Sequence, residues 1–228
     1  MNPNVNLAAP LGAMAFLGTG FVLVVTGLAL IYSLAVRKFG LAKIVTIAML
    51  VIAAVYLSTI LIFSFASSEK VLARGQEKHF CEIDCHLAYS ITDIKQVKTI
   101  GNAPNQANAN GMFSVVTIKT RFDETTISST RGNGQLYPNS RVLTVVDEQG
   151  RKYSPSPEAL KALELAGAAG TPIQTPLRPG ESYTTTVAFD LPAGVKHSTL
   201  LINEGEWNTY LVIGHENSLL HKKTVFQL

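Results

Sequence analysis

VLTVVDEQGRKY, residues Val142–Tyr153, is the stretch whose reading decides the fold. A β-branched run, Val142-Leu143-Thr144-Val145-Val146, meets a polar turn, Asp147-Glu148-Gln149-Gly150, and Arg151-Lys152-Tyr153 leads out of it. Branched and aromatic side chains fit a pleated surface, and a Gly-containing turn between two such runs specifies a β-hairpin.

The same grammar recurs on both sides. Upstream, Tyr89–Val97 (YSITDIKQV) and Met112–Phe122 (MFSVVTIKTRF) read as strands, with Asn102–Gly111 (NAPNQANANG) as a turn-forming loop between them. Downstream, Leu177-Arg178-Pro179-Gly180-Glu181 is a turn that feeds the strand Ser182–Asp190 (SYTTTVAFD). Ser198–Ile202, Trp207–Ile213 and Lys222–Leu228 complete the set, with Trp207 expected in the core. Pro157–Ala166 is the one helical insert, opened by Ser156 and Pro157 and closed near Gly167 or Gly170. About seven short strands and one short helix predict an all-β domain, an antiparallel β-sandwich over residues 89–228. That length, about 140 residues, is ample for one core.

Charge is distributed unevenly ahead of this domain. Three of the 19 basic residues (Arg37, Lys38, Lys43) and none of the 16 acidic ones lie in residues 1–65, so the formal +3 belongs there. The balanced remainder argues against a nucleic-acid partner. Leu11–Val36 and Ile44–Phe65 are uncharged apolar runs, each longer than the roughly 20 residues a helix needs to cross a bilayer. Helices are expected, since lipid cannot satisfy open backbone groups. The short basic connection makes an antiparallel membrane hairpin and places that loop in the cytoplasm, with both termini on the extracytoplasmic, periplasmic side of a plasma (inner) membrane. The leader Met1–Asn6 carries no positive charge and the run after it is long for a signal peptide, so the first span is read as retained. The expected organisation is a two-helix anchor (1–66), a juxtamembrane linker (67–88) and the β domain (89–228). Within the linker, Ala66–Phe80 is expected to carry the second helix outward, with Lys70, Arg74 and Lys78 on one helical face.

Where anchor meets domain stands His79-Phe80-Cys81-Glu82-Ile83-Asp84-Cys85-His86, holding both cysteines and two of the five histidines. Three chemistries are open. Outside the membrane Cys81 and Cys85 can form a disulfide. As thiolates flanked by His79 and His86 they form a soft ligand set suited to copper or zinc. Thiol–disulfide exchange is the third, though Glu82 and Asp84 would raise the thiol pKa. In a sandwich of this type the start of the first strand shares a pole with the final interstrand loop. Here that loop holds His215, Glu216 and His221, so the expected metal set is His79, Cys81, Cys85, His86, His215 and His221. No phosphate-binding Gly loop and no nucleophile elbow occurs, and Asp123-Glu124 reads as a turn. The expectation is a non-enzymatic protein with no cofactor other than copper.

Several motifs carry a resemblance. The order Gly-Met-Phe-Ser-Val-Val-Thr-Ile (from Gly111), Leu-Thr-Val-Val-Asp-Glu-Gln-Gly-Arg-Lys-Tyr (from Leu143), Leu-Arg-Pro-Gly-Glu-Ser-Tyr (from Leu177) and Thr-Val-Ala-Phe-Asp-Leu-Pro (from Thr186) resembles the immunoglobulin-like extracytoplasmic domains of bacterial lipoproteins and secreted antigens. The likeness covers about Gly111–Leu228 and implies an immunoglobulin-like sandwich with binding or structural roles. Cys-x3-Cys on a two-helix anchor is similar to subunit II of cytochrome oxidase and its binuclear copper centre, where a His follows four residues later; here that position is Tyr89. Copper-delivery proteins of the Sco type also use Cys-x3-Cys. These likenesses imply metal delivery or electron transfer. The alternative is a structural or interaction module, an accessory subunit among other membrane-protein subunits, with Cys81 and Cys85 disulfide-bonded.

Overall fold

A computed structural model describes residues 8–80, 86–126 and 131–228. They form two compact units: residues 69–206 with 223–228, and residues 8–68 with 207–222.

The second unit is built on α1 (Ala8–Ala35) and α2 (Phe39–Ala66), each long and apolar enough to cross a membrane. Arg37 turns the chain between them with φ 57°. Among the described residues of the hairpin few are buried, Gly12, Ser33, Ala42, Ile60 and Ser64, whereas large apolar side chains from Leu11 to Phe65 point outward. α2 starts at Phe39, so Lys43 lies inside the helix and not in the connection.

The first unit is β-rich. Its strands are β1 (Lys70–Leu72), β2 (Lys78–Phe80), β3 (Leu87–Ile100), β4 (Ala107–Phe122), β5 (Arg141–Asp147), β6 (Lys152–Tyr153), β7 (Ser182–Leu191), β8 (Ser198–Glu204) and β9 (Thr224–Gln227). They make two sheets, ordered β1-β9-β8-β5-β6 and β2-β3-β4-β7. Leu87, Tyr89, Ile91, Val116, Ile118, Val187 and Phe189 of one sheet share a buried core with Leu72, Val145, Leu200, Ile202 and Phe226 of the other. Alternation along each strand makes this possible, since every second side chain faces the same way. On the outer face of the second sheet lies α3 (Pro157–Leu165). Its small residues Ala159 and Ala162, with Leu163, pack on Ile100, Ala107, Phe113 and Ala188.

Four expectations are corrected. Lys70–Phe80 does not extend the helix: α2 ends at Ala66, Ser67 is extended, and within the stretch expected as a linker β1 and β2 join the two sheets. Gly75, at φ 81°, makes the turn between them. Lys70, Arg74 and Lys78 therefore share no helical face, and Lys78 is buried. The sheets are not purely antiparallel, because β1 runs parallel to β9. Trp207–Leu211 is a 3-10 turn, not a strand, and Trp207 is exposed. Part of the expected loop Asn102–Gly111 also belongs to β4, which begins at Ala107.

Candidate functional site

β2 is three residues long, yet Lys78, His79 and Phe80 are all buried. Strand alternation sends them to two faces. Lys78 and Phe80 turn toward the core between the sheets. Lys78 Nζ donates to the carbonyls of Ile202 (2.8 Å) and Thr224 (3.0 Å), so its ammonium reaches from one sheet to β8 and β9 of the other. The Phe80 ring has two cations near it, Lys78 Nζ at 4.9 Å and Arg141 Cζ at 4.3 Å from the centroid, with Tyr89 edge-on at 5.3 Å. Arg141 Nε donates to Tyr89 Oη at 3.2 Å, and its guanidinium lies 3.6 Å from Glu204 Oε1. A buried charge is tolerated only with such partners.

His79 faces the other way. Strand register sets His79, Ala88 and Arg121 in one row across β2, β3 and β4. Ala88 is the small middle member, which leaves room for the two large side chains to converge on Asp123, just past the end of β4. His79 Nε2 donates to Asp123 Oδ2 at 2.9 Å, and a second donor, the Arg121 guanidinium, lies 3.1 Å from the same oxygen. Thr125 donates its amide (3.0 Å) and hydroxyl (2.6 Å) to Oδ1. Arg121 also makes a two-pronged contact with Glu77, at 2.8 and 2.7 Å. The Asp123 amide donates to the His86 carbonyl at 2.7 Å, and the His86 ring lies 4.8 Å from that of Phe122. Asp123 thus holds His79 by its side chain and His86 by its backbone.

The electrostatics follow from these contacts. Burial pushes the Asp123 carboxyl up, but the hydrogen bonds from Thr125, His79 and Arg121 outweigh it and hold the group well below the usual carboxylate range. Glu77 is likewise held down, chiefly by the Arg121 fork, and Arg121 is pushed up by Glu77.

Among the described residues, Glu77, His79 and Asp123 are a group with ligand atoms of metal-binding type, all within 4.8 Å of one another. The donors already present decide how well they suit an ion. An ionised carboxylate offers about four acceptor positions, and four protein donors address Asp123. The Arg121 guanidinium already lies among the three groups, and the His79 side chain is fully buried. The arrangement works as an ion-pair clamp that joins β2 to the end of β4.

Of the residues expected to bind metal, His79 reaches Asp123 by its ring and His86 by its backbone carbonyl, while Cys81 and Cys85 lie outside the described residues. His215 and His221 belong to the other compact unit. There His215 Nδ1 accepts from the Asn217 amide at 2.9 Å, and His221 Nδ1 donates to the Lys222 carbonyl at 2.7 Å. Glu77, Arg121 and Asp123 were not expected around His79. The one signal for Asp123 was Asp-x-Thr at a strand end, a side chain–backbone turn pattern.

The hairpin that decided the fold has a similar economy. Asp147 accepts from the amides of Gln149 and Arg151 (both 2.9 Å), from Arg151 Nε (2.7 Å) and from Tyr153 Oη (2.9 Å). Asp-x-x-Gly-Arg-x-Tyr is therefore a stapled turn, with Gly150 supplying the positive φ of 76°. A surface hollow of about 320 Å³ beside it is lined by Glu148 and His197, but the Asp147 oxygens that border it are committed to the turn.

No protein-family model matches the chain, and no curated protein matches it. Among solved structures it is similar to MPT63, a secreted protein from Mycobacterium tuberculosis, at 12% identity over 71% of this chain and 98% of that one, with a TM-score of 0.42. The yjhA protein from Bacillus subtilis is similar at 14% identity over 71% of this chain and 99% of that one, TM-score 0.42. A conserved hypothetical protein from Bacillus anthracis is similar at 14% identity over 57% and 89%, TM-score 0.41.

Proposed function

We propose that the chain is a non-enzymatic, membrane-anchored module whose two helices hold an immunoglobulin-like sandwich on the extracytoplasmic side. The sandwich serves as a structural or interaction unit, an accessory subunit of a larger membrane assembly. The observation that carries this is the state of the His79 cluster: its imidazole is buried and its carboxylates are engaged by Arg121, Thr125 and His79 itself. Such a clamp stiffens the base of the β2–β3 connection. An electron-transfer or delivery centre needs donors open to an ion, and these are closed by neighbours. Support for the anchor comes from the outward apolar side chains of α1 and α2, which lipid can cover. The basic residues Arg37, Lys38 and Lys43 support a cytoplasmic turn.

In this reading Cys81 and Cys85 form a disulfide. They lie between Phe80 and Leu87, which are paired in register, so the chain leaves and re-enters the sheet at adjacent points. A second reading keeps a transition metal, copper first, on Cys81 and Cys85 with His79 or His86; the proximity of Glu77, His79 and Asp123 favours it. Metal analysis and thiol titration of the detergent-purified full chain separate the two. The expected result is no stoichiometric copper or zinc and no thiol reacting until a reductant is added. Stoichiometric copper that is lost in Cys81→Ser would overturn the proposal.

A further inference from the structure

β8 and β9 are joined through residues 207–222, which fold as part of the unit containing α1 and α2. Much of the segment is inside out for a loop in water, although Asn208 and Lys222 are exposed and Val212 is buried. Its polar side chains Thr209, Asn217 and Ser218 are 9%, 3% and 2% exposed, whereas Trp207, Tyr210, Leu219 and Leu220 are 72%, 54%, 56% and 59% exposed.

Its hydrogen bonds are largely closed on themselves. Trp207–Leu211 is a 3-10 turn. After it the amides of Val212, His215, Ser218, Leu219 and His221 donate to carbonyls of the same segment. Asn217 Nδ2 donates to Thr209 Oγ1 at 3.0 Å, and the Ser218 hydroxyl donates to the Val212 carbonyl. Polar groups satisfied internally beneath an apolar exterior are what a hydrocarbon environment demands of a polypeptide.

The segment also lies along the hairpin. Tyr56 Oη donates to the Leu211 carbonyl at 2.7 Å. Tyr56 is ten residues short of Ala66, where α2 ends, about 15 Å of helical rise. At the other end the Lys222 amide donates to Ser67 Oγ at 2.8 Å. On α1, a Cβ at Gly12 would collide with the Ile213 carbonyl, so here loop backbone meets helix backbone.

We propose that residues 207–222 are a membrane-inserted loop, with Trp207, Tyr210, Leu219 and Leu220 in contact with phospholipid. The occupant is lipid because this apolar surface continues the outward apolar surface of the hairpin on which the loop lies. Trp and Tyr, with an apolar ring and a polar edge, are also the residues that favour the membrane–water interface. The inference rests on the reading of α1 and α2 as a membrane anchor.

Trp207 is the chain's single tryptophan, so its fluorescence reports the loop directly. The full chain is reconstituted into phosphatidylcholine nanodiscs with a tryptophan-free scaffold, and its emission is challenged with lipid brominated on the acyl chains and with aqueous iodide. Insertion predicts blue-shifted emission that loses most of its intensity to brominated lipid and little to iodide. Quenching by iodide but not by brominated lipid would overturn the proposal. So would protection from both, which would mean that a protein surface covers the loop. Alkaline carbonate extraction of native membranes separates the two ideas. A chain released by carbonate removes the anchor reading and this proposal with it, and a retained chain with water-exposed Trp207 removes this proposal alone.

Discussion

Asp123 gathers side chains that are far apart in the sequence, so its removal tests the clamp directly. Asp123→Asn takes away the charge that faces His79 and Arg121. Breaking a buried pair costs about 3–5 kcal/mol, and about 2–3 is expected here because Arg121 and Glu77 keep part of their side chains in water. Arg74→Ala, at the exposed pair with Asp93, is the control and should change stability by less than about 1 kcal/mol. Thermal unfolding of the detergent-solubilised chain measures both. The clamp also sets a pH dependence. Asp123 and Glu77 have folded-state pKa values below their unfolded values, so the folded state binds fewer protons through that range. Their stabilisation is complete above the unfolded values, about pH 4, and is lost as pH falls through the folded ones. Asp123→Asn should flatten the acid limb of a stability–pH curve. The sequence singled out His79 and His86 as metal ligands; in the structure the His79 ring bonds the Asp123 carboxylate, and His86 meets Asp123 through its backbone carbonyl alone. The sequence offered no way to find Glu77 or Arg121, because their proximity to His79 depends on strand register.

Elements whose signals are local were legible. Ser156 Oγ accepts from the Ala159 amide and Pro157 starts α3, as the capping pattern predicted. The Asp147–Tyr153 turn closes where the hairpin grammar put it. Ser156→Ala should cost about 1 kcal/mol. Asp147→Ala should cost more, about 1–3 kcal/mol, because it leaves two amides and the Tyr153 hydroxyl without their acceptor. Unfolding midpoints of the two variants, compared side by side, check the order. The elements read wrongly are those whose environment overrides composition. Lys70–Phe80 is polar enough for a solvated helix, yet Lys78 finds carbonyl partners across the core and the segment pairs as strands. Trp207–Ile213 has strand composition, but the chain folds into turns there.

For the whole molecule, the membrane reading makes a topological prediction. With both native cysteines replaced by serine, a membrane-impermeant maleimide applied to intact cells should label Glu148→Cys in the β unit and leave Lys38→Cys unlabelled until the cells are opened. The reverse pattern would place the β unit in the cytoplasm. By itself the sequence determined what short-range chemistry decides. Two uncharged apolar runs become two long helices, a Gly-turn between branched runs becomes a hairpin, and a capped Pro157–Ala166 becomes a helix, because each needs only neighbours along the chain. Tertiary structure alone decided the rest. Register across three strands put His79 beside Arg121 and Asp123, 42 and 44 positions later in the chain. The fold of residues 207–222 turned Trp207, Tyr210, Leu219 and Leu220 outward, where composition alone suggested a core strand over Trp207–Ile213. Both outcomes depend on which distant surfaces meet, and the hydrogen-bond and burial energies that choose among them are set only when the chain is folded.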